Sequence, residues 1–114
     1  MKISIKKRLV ETYSTDAGKH PYLIWLGQLK DKKAKAKIIA RVERAALGNF
    51  GVYVDLKDGV FELKENFGPG YRIYFGLVDD EIILLVSGGD KGSQKRDIKK
   101  AKQYLADHIS RSKK

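Results

Sequence analysis

Between Glu62 and Gln94 the chain carries side chains suited to holding an anion: Lys64, Arg72 and Lys91 as cations, Tyr74 and Gln94 as neutral hydrogen-bonding groups, and Glu62 and Asp90 as carboxylates. Arginine's planar guanidinium stays charged and can grip two oxygens of one phosphate, whereas each lysine supplies a point charge. The run Gly88-Gly89-Asp90-Lys91 reads as a glycine-rich turn leaving a strand and entering a helix, where free backbone N–H groups suit an anion. It does not spell a Walker sequence, which disfavours nucleotide hydrolysis. Gly68-Pro69-Gly70 reads as a hairpin turn, because no helix follows it.

Strand alternation is what would bring these groups together. If Phe61 and Leu63 point into a helix-covered core, Glu62 and Lys64 point to the opposite face; on the next strand Tyr71, Ile73 and Phe75 take the core side and send Arg72 and Tyr74 to that same face. Asp90, Lys91 and Gln94, at the exit of a neighbouring strand, would border it. Each residue also has an ordinary structural reading. Arg72 can pair with Glu62 across strands, Lys64 can be plain surface, Tyr74 can pack, Asp90 can cap, and Gln94 can face solvent.

The elements that must position them follow from local pattern. Ile3 and Ile5 alternate with polar neighbours, so Met1 to Arg8 is predicted as an edge strand. Pro21 suits the first turn of a helix bearing Leu23, Leu26 and Leu29. Asp31 can cap a second helix through Ile38, Val42 and Ala45, which Gly48 closes. Strands are predicted at Tyr53 to Leu56 and Val60 to Lys64 around Asp58-Gly59, then at Tyr71 to Val78 and Glu81 to Val86 around Asp79-Asp80. A final helix from Ser93 places Ile98, Ala101, Leu105 and His108 or Ile109 on one face, with Ser93 as cap, and Ser110 to Lys114 is predicted to fray. The expected architecture is α+β, a curved antiparallel-rich sheet with an N-terminal helical hairpin and a C-terminal helix, the helices covering one face.

At 114 residues the chain is expected to form one domain, residues 1–114, large enough to bury a core without staples. It has no cysteine, hence no disulfide framework or thiolate zinc site, and His20 and His108 are too isolated to make a metal centre. No metal or cofactor is expected. The charged N-terminus is unlike a signal peptide and no run reaches membrane-spanning length, so a cytoplasmic protein is expected. Net charge is +10, distributed as an excess of +8 over residues 1–50, −5 over 51–90 and +7 over 91–114. Such a field favours anionic partners, although lysine-rich helix faces are also common as solvated surface. Trp25, set among leucines, reads as core.

The segments "GNFGVYVDLKDGVFELKENFGPGYRIYF" and "IILLVSGGDKGSQKRDIKKAK" resemble the RelE/ParE superfamily of type II toxins, in the HigB-like branch of addiction module killer proteins. The resemblance runs from near residue 20 to residue 106. It implies a RelE-like fold and a toxin neutralised by a cognate antitoxin, expected to be of helix-turn-helix type. It also implies a ribosome-dependent endoribonuclease, an mRNA interferase that blocks translation by cutting ribosome-bound messenger RNA. Under that implication Arg72, Lys64, Lys91 and Gln94 are the catalytic set, with Arg72 clamping phosphate, and Tyr74, Glu62 and Asp90 contact substrate. Glu62 stands where the best-understood ribonuclease branch has a basic residue, and no histidine lies on the strands or their loops. A histidine-based acid–base scheme therefore does not carry over. The alternative within the superfamily is a ParE-like toxin that inhibits gyrase without nuclease activity, and a third is a member that binds its antitoxin but has lost toxicity.

Overall fold

The computed structural model describes residues 2–113 and has the expected α+β architecture, its elements running β1 (Leu9–Thr12), α1 (Pro21–Gln28), α2 (Lys32–Ala46), β2 (Tyr53–Asp55), β3 (Val60–Glu65), β4 (Tyr71–Val78), β5 (Ile82–Asp90), a short 3-10 turn at Lys91–Ser93, and α3 (Gln94–Ser112). The strands form one sheet in the order β1-β5-β4-β3-β2. β1 pairs parallel to β5, and the remaining neighbours are antiparallel. No helix among the described residues is long and apolar enough to cross a membrane.

Local signals account for most of these boundaries. Pro21 opens α1, where its missing N–H is no loss, and the Asp31 carboxylate accepts from Lys33 N at 3.0 Å and Ala34 N at 3.2 Å at the start of α2. Asp79 and Asp80 both take positive φ in the tight turn between β4 and β5. In α1 the inward face is Tyr22, Trp25 and Leu26, whereas Leu23 is exposed.

Four expectations are corrected. The N-terminal strand lies at Leu9–Thr12, beyond the predicted Met1 to Arg8, because Ile5 is exposed and Arg8 is a buried clasp. Its guanidinium bonds Ser4 O, Ser4 Oγ, Asp80 O and Asp80 Oδ1, which fixes this segment by side-chain contacts in place of a ladder. Gly88-Gly89-Asp90 is no turn: β5 continues through it, paired with Ile73, Arg72 and Tyr71. The helices also occupy both faces. α1 and α2 cover Phe61, Leu63, Ile73, Phe75, Ile83 and Leu85, while α3 brings Ala101 and Leu105 against Val60, Tyr74, Leu84 and Val86 on the other side. Finally, α3 stays helical through Ser112, held by Arg111, which bonds Asp107 and Ser14 O and lies over the Tyr13 ring. Met1 and Lys114, the outer ends of the expected strand and frayed tail, lie outside the described residues.

Candidate anion-binding site

The alternation argued from sequence holds. Lys64 faces Arg72 across β3 and β4, and Glu62 faces Tyr74. These four side chains share the α3 side of the sheet, so α3 roofs what the pattern suggested was an open floor. Glu62 and Tyr74 are 0% exposed and Arg72 is 5% exposed. Lys64 is half-buried, and Asp90 and Lys91 are exposed.

Gln94, on the first turn of α3, reaches down to the sheet, where its Nε2 donates to Glu62 Oε1 at 2.8 Å. Tyr74 lies beside the same carboxylate. Its hydroxyl is held well above the usual tyrosine range, first by burial and then by the nearby Glu62 and Asp97 carboxylates, with Arg72 opposing them. Yet Tyr74 Oη, Glu62 Oε2 and Arg72 Nε have no hydrogen-bond partner among the described residues. Buried polar atoms are normally paired, so these three leave unmet hydrogen-bonding capacity beneath α3, with the Tyr74 hydroxyl and the Glu62 carboxylate close enough to act on one another.

Arg72 extends back along its own strand toward Gly70. Its Nη1 donates to Tyr71 O at 3.1 Å, and a Cβ placed on Gly70 would sit 3.6 Å from Nη1 and 3.4 Å from Lys91 Cβ. The guanidinium therefore ends at a corner shared by Gly70 and Lys91, where Lys91 N donates to Gly70 O at 2.8 Å. Among the described residues no ion pair within 4.0 Å engages Arg72, Lys64 or Lys91. From this corner the exposed side chains of Lys95, Arg96 and Lys99 line an open groove along α3.

Asp90 caps: its Oδ1 accepts from Ser93 N at 3.1 Å, the ordinary structural reading of that residue. Ser93 stands at the N-cap position of α3, but its hydroxyl donates to Asp97 Oδ2 at 2.5 Å and caps no backbone group. Asp97, in the first turn of α3, belongs to this cluster as well. It is buried over Gly89, where a Cβ would fall inside its carboxylate. The spacing of Ser93 to Asp97, one helical turn, was the available signal. Trp25 packs on Gly88, Tyr22 and Tyr71, as core. His20 Nδ1 shares a hydrogen bond with Thr12 Oγ1, and His108 lies edge-on to Tyr13.

The site thus brings together Arg72, Lys64 and Lys91 at one corner and Glu62, Tyr74 and Gln94 beneath it, with Asp90 at the rim as a capping group. No protein-family model matches the chain. An uncharacterised protein of Haemophilus influenzae is 47% identical over 78 residues, which cover 68% of this chain and 79% of the relative. At that identity and coverage the chain belongs to one family with this Haemophilus influenzae protein.

Proposed function

We propose that this chain is a RelE/ParE-superfamily toxin of the HigB-like branch that cleaves ribosome-bound messenger RNA, with Arg72 as its phosphate clamp. The observation that carries the reading is the unpaired cationic corner: Lys64 directly across from Arg72, Lys91 Cβ and the Arg72 guanidinium both against Gly70, and no ion pair within 4.0 Å to any of the three among the described residues. Arg72 is nearly buried and has no ion pair among the described residues, an arrangement that is costly unless an anion visits.

The reaction suited to the corner is internal transesterification of RNA. The ribose 2′-oxygen forms a bond to phosphorus, the bond from phosphorus to the 5′-oxygen breaks, the 2′-hydroxyl loses its proton to solvent, and the leaving oxygen takes one up. Arg72 and Lys64 would stabilise charge on the phosphate oxygens, and Lys91, exposed at the rim, would face the leaving oxygen. Glu62 and Gln94 bond one another, so they hold the floor in place. The ribosome would hold the rest of the substrate, and a cognate antitoxin would cover the toxin.

Adding the purified chain to a translating extract and mapping RNA ends tests this. New ends inside codons, lost with Arg72→Ala and with the better-packed Arg72→Met, are the expected result. Unchanged RNA with the wild-type chain overturns the proposal, and blocked DNA supercoiling with intact translation would replace it with gyrase inhibition.

A further inference from the structure

Strand β5 outruns the strand beside it. β1 pairs with Ile82 to Leu85, and the last bond between the two segments is Tyr13 N to Leu85 O at 2.9 Å. Residues 86–90 of β5 then continue as an edge with β4 on one side only. The register shift between Tyr74 and Phe75, which leaves Val86 as an extra residue on β5, decides which groups reach that edge. Because Lys91 N donates to Gly70 O, Gly70 with Lys91 is a hydrogen-bonded pair, and ladder alternation makes Arg72 with Gly89 and Tyr74 with Ser87 the next ones. Gly88, opposite Ile73, is therefore a position whose N–H and C=O turn away from β4. No strand among the described residues receives them.

This edge forms the floor of a groove of about 340 Å³. Trp25 and Ile24 of α1 form one wall, and Lys100 and Tyr104 of α3 form the other. Trp25 lies so close to Gly88 that any side chain there would collide with the indole, which keeps the floor bare backbone. Gly88 is buried, so an unpaired N–H and C=O at this place cost free energy until a partner supplies the matching groups.

The walls select the occupant. A second copy presents the same edge between the same two helices, so the helices would collide before the strands came to the roughly 4.8 Å spacing of a ladder. A free extended segment has no such walls, and three of its residues span about 10 Å. Its charge is set by Lys19 and Lys100 at the rim of the groove, both exposed, in a chain of net charge +10, while the nearby Asp97 already accepts from Ser93. We propose that this groove binds an extended acidic segment of a partner protein, which adds to β5 as a strand beyond the end of β1. The site is separate from the cationic corner and stands whether or not the chain cuts RNA.

Panning a displayed library of random peptides on the purified chain tests it, with hydrogen exchange of the Gly88 amide as the structural readout. Enriched peptides are expected to be acidic, to slow exchange at Gly88, and to lose roughly tenfold in affinity against the double variant Lys19→Glu/Lys100→Glu, whose thermal melting should match the wild type. N-methylating alternate residues of such a peptide should abolish binding in one phase of the alternation only, since a strand offers its backbone to β5 on one side. Peptides without an acidic excess, no enrichment, unchanged Gly88 exchange, or binding indifferent to N-methylation overturns the proposal. Protection confined to the Lys95 and Lys99 face of α3 does so as well, by showing plain charge attraction.

Discussion

The Gln94 amide donates to the Glu62 carboxyl group at 2.8 Å, tying the first turn of α3 to the middle of β3. This bond joins the apolar contacts of Ala101 and Leu105 in seating the roof over Arg72 and Tyr74. Gln94→Glu would put a second carboxylate against the first inside a covered space, where like charges are poorly screened. Its expected cost at neutral pH is about 1–3 kcal/mol, read as a fall in urea midpoint. Relative to wild type at the same pH, that cost should shrink toward pH 4 as one carboxyl group of the pair takes up a proton. An equal penalty at both pH values would show that the two side chains do not meet in solution.

Arg72 offers a test that separates stability from function. It is a nearly buried cation whose only protein hydrogen bond among the described residues runs from Nη1 to the carbonyl of the preceding residue. Buried charges without a paired acid are expensive, so Arg72→Met should leave stability unchanged or raise it by about 1–2 kcal/mol. The same variant should lose the proposed RNA cleavage by roughly 10²-fold or more, the scale of removing a charge stabiliser. Arg72→Lys should restore little, because a point charge does not reproduce the planar fork. If Arg72→Met instead unfolds the chain, the guanidinium is a structural strut.

Much of the fold was legible in local pattern, and the reasons for the rest are physical. β4, the two aspartates before β5, the Asp31 cap and the inward set of α2 all follow from short-range signals that the structure repeats. Gly88 and Gly89 misled because glycine marks both turns and places of close approach. Here it makes room for the Trp25 ring and the Asp97 carboxylate, groups 63 and 8 residues away in the chain. The side of the sheet taken by α3 was invisible for a similar reason: the apolar stripe of Ala101 and Leu105 says only that α3 packs somewhere. The shared face of Glu62, Lys64, Arg72 and Tyr74 came through intact because it depends on period-two alternation around one hairpin, whereas the register that sets Lys64 opposite Arg72, and Glu62 opposite Tyr74, lay outside that pattern. What alternation could not show was the roof.

Acid and alkali should each expose a different set of interactions. Asp80 is held below the usual carboxylate range by its hydrogen bonds to Arg8 and Lys6, and Asp107 by the Tyr13 hydroxyl and Arg111. A depressed carboxyl group contributes stability above its unfolded value near 3.9, and that contribution is lost as pH falls through the lower folded value. Stability should therefore hold from about pH 5 upward and fall below about pH 4, with Asp80→Asn flattening part of the fall. At the other end Tyr13 is pushed up to about 12, first by burial and then by Asp107, and Tyr22 to about 12 by burial. The unfolded chain loses these protons near pH 10 while the folded one keeps them, so stability should decline between about pH 10 and 12. Urea midpoints across both ranges check the windows, and an undiminished midpoint at about pH 11 would contradict the buried tyrosines.

Gly89 and Asp97 should behave as one unit. The carboxylate of Asp97 lies where a side chain at position 89 would begin, and its Oδ2 accepts the Ser93 hydroxyl, so the start of α3 rests on the bare backbone of β5 through this carboxylate and hydroxyl. Gly89→Ala must push α3 away from the sheet, at an expected cost of about 1–3 kcal/mol. The displacement would also draw Gln94 from Glu62, since both contacts hang on the same helical turn. Asp97→Ala alone should cost about 1 kcal/mol for the lost hydrogen bond, yet it clears the space that the methyl group introduced by Gly89→Ala needs. The double variant should accordingly cost less than the two single costs together by about 0.5 kcal/mol or more, a coupling that a double-mutant cycle in urea resolves. Strict additivity would mean that α3 does not seat on bare backbone at Gly89, and the roof over the cationic corner would then need another anchor.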